Sequence, residues 1–174
     1  MAFKFMKHLK EFNQWFTSSS TGGDVNLEYT SKDKIYYNSH KVTLTHNGRS
    51  VEVTAKFDTG AKSSSIDFGV AEKLGISKEL LEKCKELEKI DSIPLTVGKL
   101  EKSKIEFFYT NKLKKEFPGD ISYVKIVKSS SGVSIRAFVP VQLSYNGRVI
   151  KTNVNLRNRK GLTCEMLVGL DDML

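Results

Sequence analysis

A hairpin signal that occurs twice sets the class of fold open to this chain. Leu44-Thr45-His46-Asn47-Gly48-Arg49 is echoed by Leu143-Ser144-Tyr145-Asn146-Gly147-Arg148, with four identities in six aligned positions. Asn-Gly accepts the positive φ angles that a tight hairpin turn demands. Around the first copy, Val42 and Leu44 on one side and Val51, Val53 and Ala55 on the other recur at every second residue, the period of a half-buried strand. The second copy is also preceded by alternating apolar residues and followed by a strand-like run. Agreement of both sequence and expected structure points to a duplicated half-domain in a mainly β fold.

Between the copies, Phe68 to Leu74 and Glu79 to Leu87 read as helices, the second laced with Glu and Lys on its outer face. Strand character then returns. Ile121 to Val127 alternates, the polar tip Ser129-Ser130-Ser131-Gly132 follows, and Val133 to Val139 completes a further hairpin. Met166-Leu167-Val168-Gly169 reads as a buried strand ending on glycine.

The ends and the charge add boundaries. Phe5, Leu9, Phe12 and Phe16 lie on one helical face, and Ser18-Ser19-Ser20-Thr21-Gly22-Gly23 has the residue types of a linker. Residues 1–24 are therefore expected to form an amphipathic extension and linker, and residues 25–174 one domain. A membrane surface or a larger protein assembly is the partner expected for residues 1–16. Lys10 and Glu11 interrupt the apolar residues before a signal-peptide core forms, and no run approaches the roughly 18 apolar residues that span a bilayer. An intracellular, cytoplasmic chain is expected, with Cys84 and Cys164 as reduced thiols. The net charge of +8 could attract polyanions. Its densest stretch, residues 99–128, sets eight lysines against four acids without a nucleic-acid motif, which reads as a solvated basic face and argues against a nucleic-acid partner.

The chemistry centres on Ala55-Lys56-Phe57-Asp58-Thr59-Gly60-Ala61, where a strand runs straight into an aspartate and a glycine turn. A carboxylate held there, with backbone N–H groups close by, suits acid–base work on water. One Asp cannot be acid and base at once, whereas two carboxylates about 3 Å apart share a proton because both cannot ionise cheaply. A second Asp58 from a symmetric copy would supply the missing member.

At this point the chain resembles the retropepsin-like aspartic proteases. Phe57-Asp58-Thr59-Gly60-Ala61, then Ile66, then Ala71-Glu72-Lys73-Leu74-Gly75-Ile76, follow that family's order, as do Ser129–Gly132, Asn146-Gly147 and Leu167-Val168-Gly169. The resemblance covers roughly residues 42–171. It implies a closed barrel, the acid-protease fold, in which the Asp58 and Gly169 strands cross at the centre. It also implies a homodimer with Asp58 as the catalytic residue, Thr59, Gly60, Ala61 and Lys62 as active-site loop support, and Ser129, Ser130, Ser131 and Gly132 as a flap over a peptide substrate. Thr59 either bonds the turn backbone or braces two active-site loops across a dimer. Lys62 is either a solvated loop lysine or a cation near the dyad that favours its ionised form.

Asp58-Thr59-Gly60-Ala61-Lys62-Ser63-Ser64 and Ser130-Ser131-Gly132 are similar, more narrowly, to a bacterial group known as RimK-associated or "ATP-dependent zinc" proteases. The residues themselves imply neither zinc nor ATP. His8, His40 and His46 form no His-Glu-x-x-His or Cys/His cluster, and no Gly-rich Lys-Ser/Thr loop is present, so no metal and no cofactor are expected. Two functions stay open: an aspartic endopeptidase acting as a homodimer, and a catalytically inactive member of the same fold serving as an adaptor. The second gains weight from Leu174, five residues after Gly169, where viral retropepsins continue into a strand that knits the dimer.

Overall fold

The computed structural model describes residues 39–90, 98–129 and 132–173. The extension and linker expected over residues 1–24, and the tip residues Ser130 and Ser131, lie outside them.

Both Asn-Gly signals form hairpins. Strands β1 (Ser39–His46) and β2 (Arg49–Phe57) pair in register from Ser39↔Lys56 to His46↔Arg49. Strands β5 (Gly132–Tyr145) and β6 (Arg148–Arg157) pair from Phe138↔Asn155 to Tyr145↔Arg148. Asn47 (φ 45°) and Gly48 (φ 81°) in the first turn, and Asn146 (φ 48°) and Gly147 (φ 73°) in the second, are left-handed at both central positions. Those angles match the right-handed twist of the strands they join.

The remaining strands are β3 (Ser65–Asp67), β4 (Tyr123–Ser129) and β7 (Met166–Val168). Six of the seven strands among the described residues form a closed ring, β1-β2-β7-β3-β6-β5, with β5 returning to β1 through Thr43↔Ser144 to Thr45↔Gln142. Strand β4 lies outside the ring and pairs with the first half of β5, from Tyr123↔Phe138 to Ser129↔Gly132. One edge of β5 thus serves β4 first and β1 second. Pro140, which has no N–H to donate, sits in the gap between these two pairings. The barrel interior is filled by fully buried Val42, Leu44, Ile66, Leu143, Leu156 and Met166, among others.

Two helices fall where the sequence placed them. Helix α1 (Phe68–Lys73) starts at Asp67, whose carboxylate accepts the Gly69 N–H at 2.9 Å. Helix α2 (Lys78–Glu88) starts at Ser77 and buries Leu80, Leu81, Cys84 and Leu87, a stripe at helical spacing. Cys84 and Cys164 are both free and buried, and burial pushes the Cys84 thiol up to about 12.

A third helix, α3 (Lys99–Glu116), was not anticipated from the sequence. Its inward side seals the outer edge of β4. The N–H of Val124 donates to Thr110 Oγ1 at 2.8 Å, and that of Ile126 donates to Glu106 Oε2 at 3.2 Å. Four helical residues rise about 6 Å, and two strand residues advance about 6.6 Å. One helix face therefore satisfies successive outward N–H groups of an edge strand, which would otherwise be open to pairing with another chain.

Candidate functional site

Asp58 stands where β2 ends. Its backbone N–H donates to the Val168 carbonyl at 3.0 Å, continuing the parallel β2–β7 pairing of Ala55↔Met166 to Phe57↔Val168. Its carboxylate Oδ1 accepts the N–H of Gly60 at 2.8 Å, and its carbonyl accepts that of Ala61 at 3.2 Å. The aspartate side chain is half-buried and held by the glycine turn that follows it.

The rest of the loop is fastened to the chain after β7. The Leu170 N–H donates to the Ala61 carbonyl at 2.8 Å, and the Asp171 N–H to the Lys62 carbonyl at 3.0 Å. Gly169 lies against this loop so closely that a Cβ there would meet the Ser63 carbonyl carbon at 2.6 Å and the Lys62 oxygen at 2.7 Å. The Asp58 and Gly169 segments thus cross in backbone contact, which is the crossing the resemblance implies. Thr59 and Ala61 are half-buried, Gly60 and Lys62 exposed. Lys62 enters the network through its carbonyl.

Of the flap candidates, Ser129 and Gly132 close the β4–β5 hairpin, with Ser129 Oγ donating to the Gly132 carbonyl at 3.3 Å. Gly132 has φ 118°, a conformation that favours glycine.

Several residues that the sequence did not single out converge beside the loop. Asn155 donates from Nδ2 to the Ser64 carbonyl at 2.9 Å and to Ser63 Oγ at 3.4 Å. Its Oδ1 accepts from Arg136 Nη1 at 3.2 Å, and Arg136 Nε donates to Ser134. Arg159 donates from Nη1 to Ser65 Oγ at 3.1 Å and from Nε to the Cys164 carbonyl at 3.0 Å. Arg136 and Arg159 are both buried. Arg157 completes a group of three guanidinium groups, and its buried Nε has no hydrogen-bond partner among the described residues.

The electrostatics of this group have a definite direction. Burial and the repulsion of Arg157 pull Arg136 down to about 10, against the pull of Glu88. Burial and Arg157 likewise lower Arg159, with Asp67 and Asp58 among the acids that oppose the shift. Asp58 is therefore within electrostatic reach of Arg159. Glu88, whose carboxylate accepts the Asn158 N–H at 3.3 Å, is pushed up by burial more than Arg136 and Arg157 hold it down. Guanidinium groups held together against their mutual repulsion fit a carboxylate, whose two oxygens match the planar Arg fork. The spacing of Arg136, Arg157 and Arg159 in the sequence gives no sign of this; β6 brings them together by pairing with β3 at Asp67↔Arg157 and running beside β5.

Among the described residues, no group of three or more His, Cys, Asp or Glu side chains is placed to hold a metal ion.

No family model and no curated protein matches the chain. Among solved structures, it is similar to the retroviral protease-like domain of Ddi1 from Leishmania major, at 15% identity over 78% of this chain and 70% of that one, with a TM-score of 0.33. It is also similar to Lpg0085 (DUF785), a protein of unknown function from Legionella pneumophila, at 20% identity over 77% of this chain and 81% of that one, with a TM-score of 0.35.

Proposed function

We propose that the chain is an aspartic peptidase that works as a homodimer and cleaves peptides carrying a carboxylate near the scissile bond. The observation that carries this reading is the fixed Asp58 carboxylate at the end of β2, where its loop meets the segment after β7, with Oδ1 held by the Gly60 N–H. A single carboxylate so placed lacks the second group that acid–base peptide hydrolysis needs, and an identical loop from a second copy supplies it. The pair shares one proton. The ionised member takes a proton from the attacking water, and the protonated member gives one to the leaving nitrogen. The arginines beside the loop would favour such a substrate, since its carboxylate would offset the repulsion within the cluster at the half-buried Arg157.

The test is turnover of paired peptides that differ only by Glu against Gln, over mildly acidic to neutral pH, beside sedimentation of the full chain. Asp58→Asn should fold normally and lose about 10²–10⁴-fold in rate or more. Arg157→Gln should lose the Glu preference while cleaving the Gln peptides at an unchanged rate. Wild-type turnover by Asp58→Asn, or a strictly monomeric active enzyme, sinks the reading of the dyad. Equal rates on Glu and Gln peptides sink the substrate preference alone.

A further inference from the structure

We propose that the outward face of α3 is a lipid-contact surface that seats the protein on an anionic bilayer. The inward side of the helix is occupied by Glu106 and Thr110 on the β4 edge and by buried Leu113. On the opposite side Leu100, Phe107 and Phe108 are 70%, 71% and 59% exposed. Leu100 and Phe107 stand seven residues apart and so lie above one another after two turns. Phe108 is the next residue round the helix, its ring 5.1 Å from that of Tyr109 in an edge-on contact. A lone exposed Leu is ordinary, but two adjacent phenylalanines and a leucine on one exposed helix face form an apolar patch that calls for a partner.

Charge selects that partner. Lys104, Lys112, Lys114 and Lys115 are exposed around these three side chains, with Glu101 and Glu116 as the exposed acids of the helix. A second copy of the same face would bring lysines against lysines. Residues 1–16 hold Lys4, Lys7, Lys10 and one acid, Glu11, so their net charge has the same sign as this face. Nucleic acid would match the lysines and could stack on the phenylalanines, but it would leave the aliphatic Leu100 of the patch in water. An anionic bilayer satisfies both features. Apolar side chains of an interfacial helix enter the boundary of the acyl layer, while lysine stems lie along the apolar surface and keep their ammonium groups at the lipid phosphates. Burying the patch this way also leaves the inner face of α3 free to hold β4.

The experiment is co-sedimentation of the full chain with vesicles of phosphatidylcholine alone and of phosphatidylcholine with phosphatidylglycerol. Phe107→Ala/Phe108→Ala and Lys104→Glu/Lys112→Glu/Lys115→Glu are run alongside, with urea midpoints confirming that each variant is folded. The expected result is binding to the anionic vesicles only, weakened about tenfold or more in both variants and by raised salt. Binding unchanged in both variants overturns the proposal and assigns any lipid affinity to residues outside α3. Equal binding to both vesicle types overturns the anionic preference. So does a duplex RNA that binds the full chain and is lost only in the lysine variant, or a concentration-dependent dimer that is lost in the phenylalanine variant without any vesicle binding.

Discussion

Ser64 and Asp172, both buried, are joined by a hydrogen bond of 2.5 Å from hydroxyl to carboxylate. The same Ser64 oxygen accepts the Gly169 N–H at 3.0 Å, so one hydroxyl links the loop after Asp58 to the segment after β7. Thr152 Oγ1 donates to the other oxygen of Asp172 at 2.5 Å, and the Tyr145 hydroxyl donates to its carbonyl at 2.6 Å. Asp172→Ala leaves two hydroxyl groups without their acceptor inside the barrel wall. Unsatisfied buried donors cost about 1–3 kcal/mol each, so a loss of about 3 kcal/mol is expected. Asp172→Asn, which keeps one acceptor oxygen, should lose less. Urea unfolding at constant slope measures both, and an Asp172→Ala protein as stable as wild type would remove the network from the account of the fold.

Burial of Glu88 beside the arginine cluster gives stability a pH dependence. The folded-state pKa of Glu88 is raised above the ordinary glutamate value of 4.5, with burial as the main cause. The folded protein therefore binds this proton more tightly than the unfolded chain does. The stability so gained is full below the ordinary value and is lost as pH rises through the raised one. Glu88→Gln has no proton to lose. Its stability relative to wild type should climb from about pH 4.5 upward and level off once Glu88 is ionised in the folded protein. A difference that is flat over this window, or that runs the other way, would show that Arg136 and Arg157 hold Glu88 ionised.

Helix α3 should stabilise β4 through two named bonds. Thr110→Val preserves shape and removes the acceptor of the Val124 N–H, at a cost of about 1–3 kcal/mol. Amide hydrogen exchange is the sharper readout. Val124 should exchange faster in Thr110→Val and Ile126 faster in Glu106→Ala, while Val139 in the barrel keeps its protection. Unchanged exchange at Val124 and Ile126 would mean that the helix lies on the strand without sealing it.

The legible parts of this protein were those whose causes are local. Asn47-Gly48 and Asn146-Gly147 carry their turn geometry in their own backbone preferences, and both hairpins follow. The stripe Leu80, Leu81, Cys84, Leu87 faces one core, so its period shows in the sequence. Helix α3 hides its period because it has apolar residues on two sides, with Ile105, Tyr109 and Leu113 inward and Leu100, Phe107 and Phe108 outward. Asp58 could be chosen from its motif, and its meeting with Gly169 was implied by the family resemblance. Arg136, Arg157, Arg159 and Asn155 could not be chosen, because parallel pairing of β3 with β6 is what carries them to the loop. The Ser64–Asp172 bond was equally silent, since a serine in a polar run and an aspartate near the end of the chain share no pattern.

Gly169 offers the most direct test of the crossing at the candidate site. An added Cβ would lie 2.6 Å from the Ser63 carbonyl carbon and 2.7 Å from the oxygens of Lys62 and Ser63. All three atoms are backbone, so no side-chain rotation relieves the clash. The neighbouring strands fix where residue 169 can go: Val168 is paired to Phe57, and the Leu170 N–H is bonded to Ala61. Gly169→Ala must therefore shift the Lys62–Ser63 backbone, which loosens the turn that holds Asp58. Overpacking of this kind costs about 1–3 kcal/mol. A loss of that size is expected in urea unfolding, together with a fall in any Asp58-dependent peptide turnover that added peptide does not restore. Gly60→Ala is the control, since its Cβ meets only the Asp58 side-chain oxygen, at 3.1 Å. It should perturb turnover more than stability. Gly169→Ala with wild-type stability would mean that the two segments do not cross in backbone contact, and the shared basis of the barrel closure and the Asp58 geometry would fall with it.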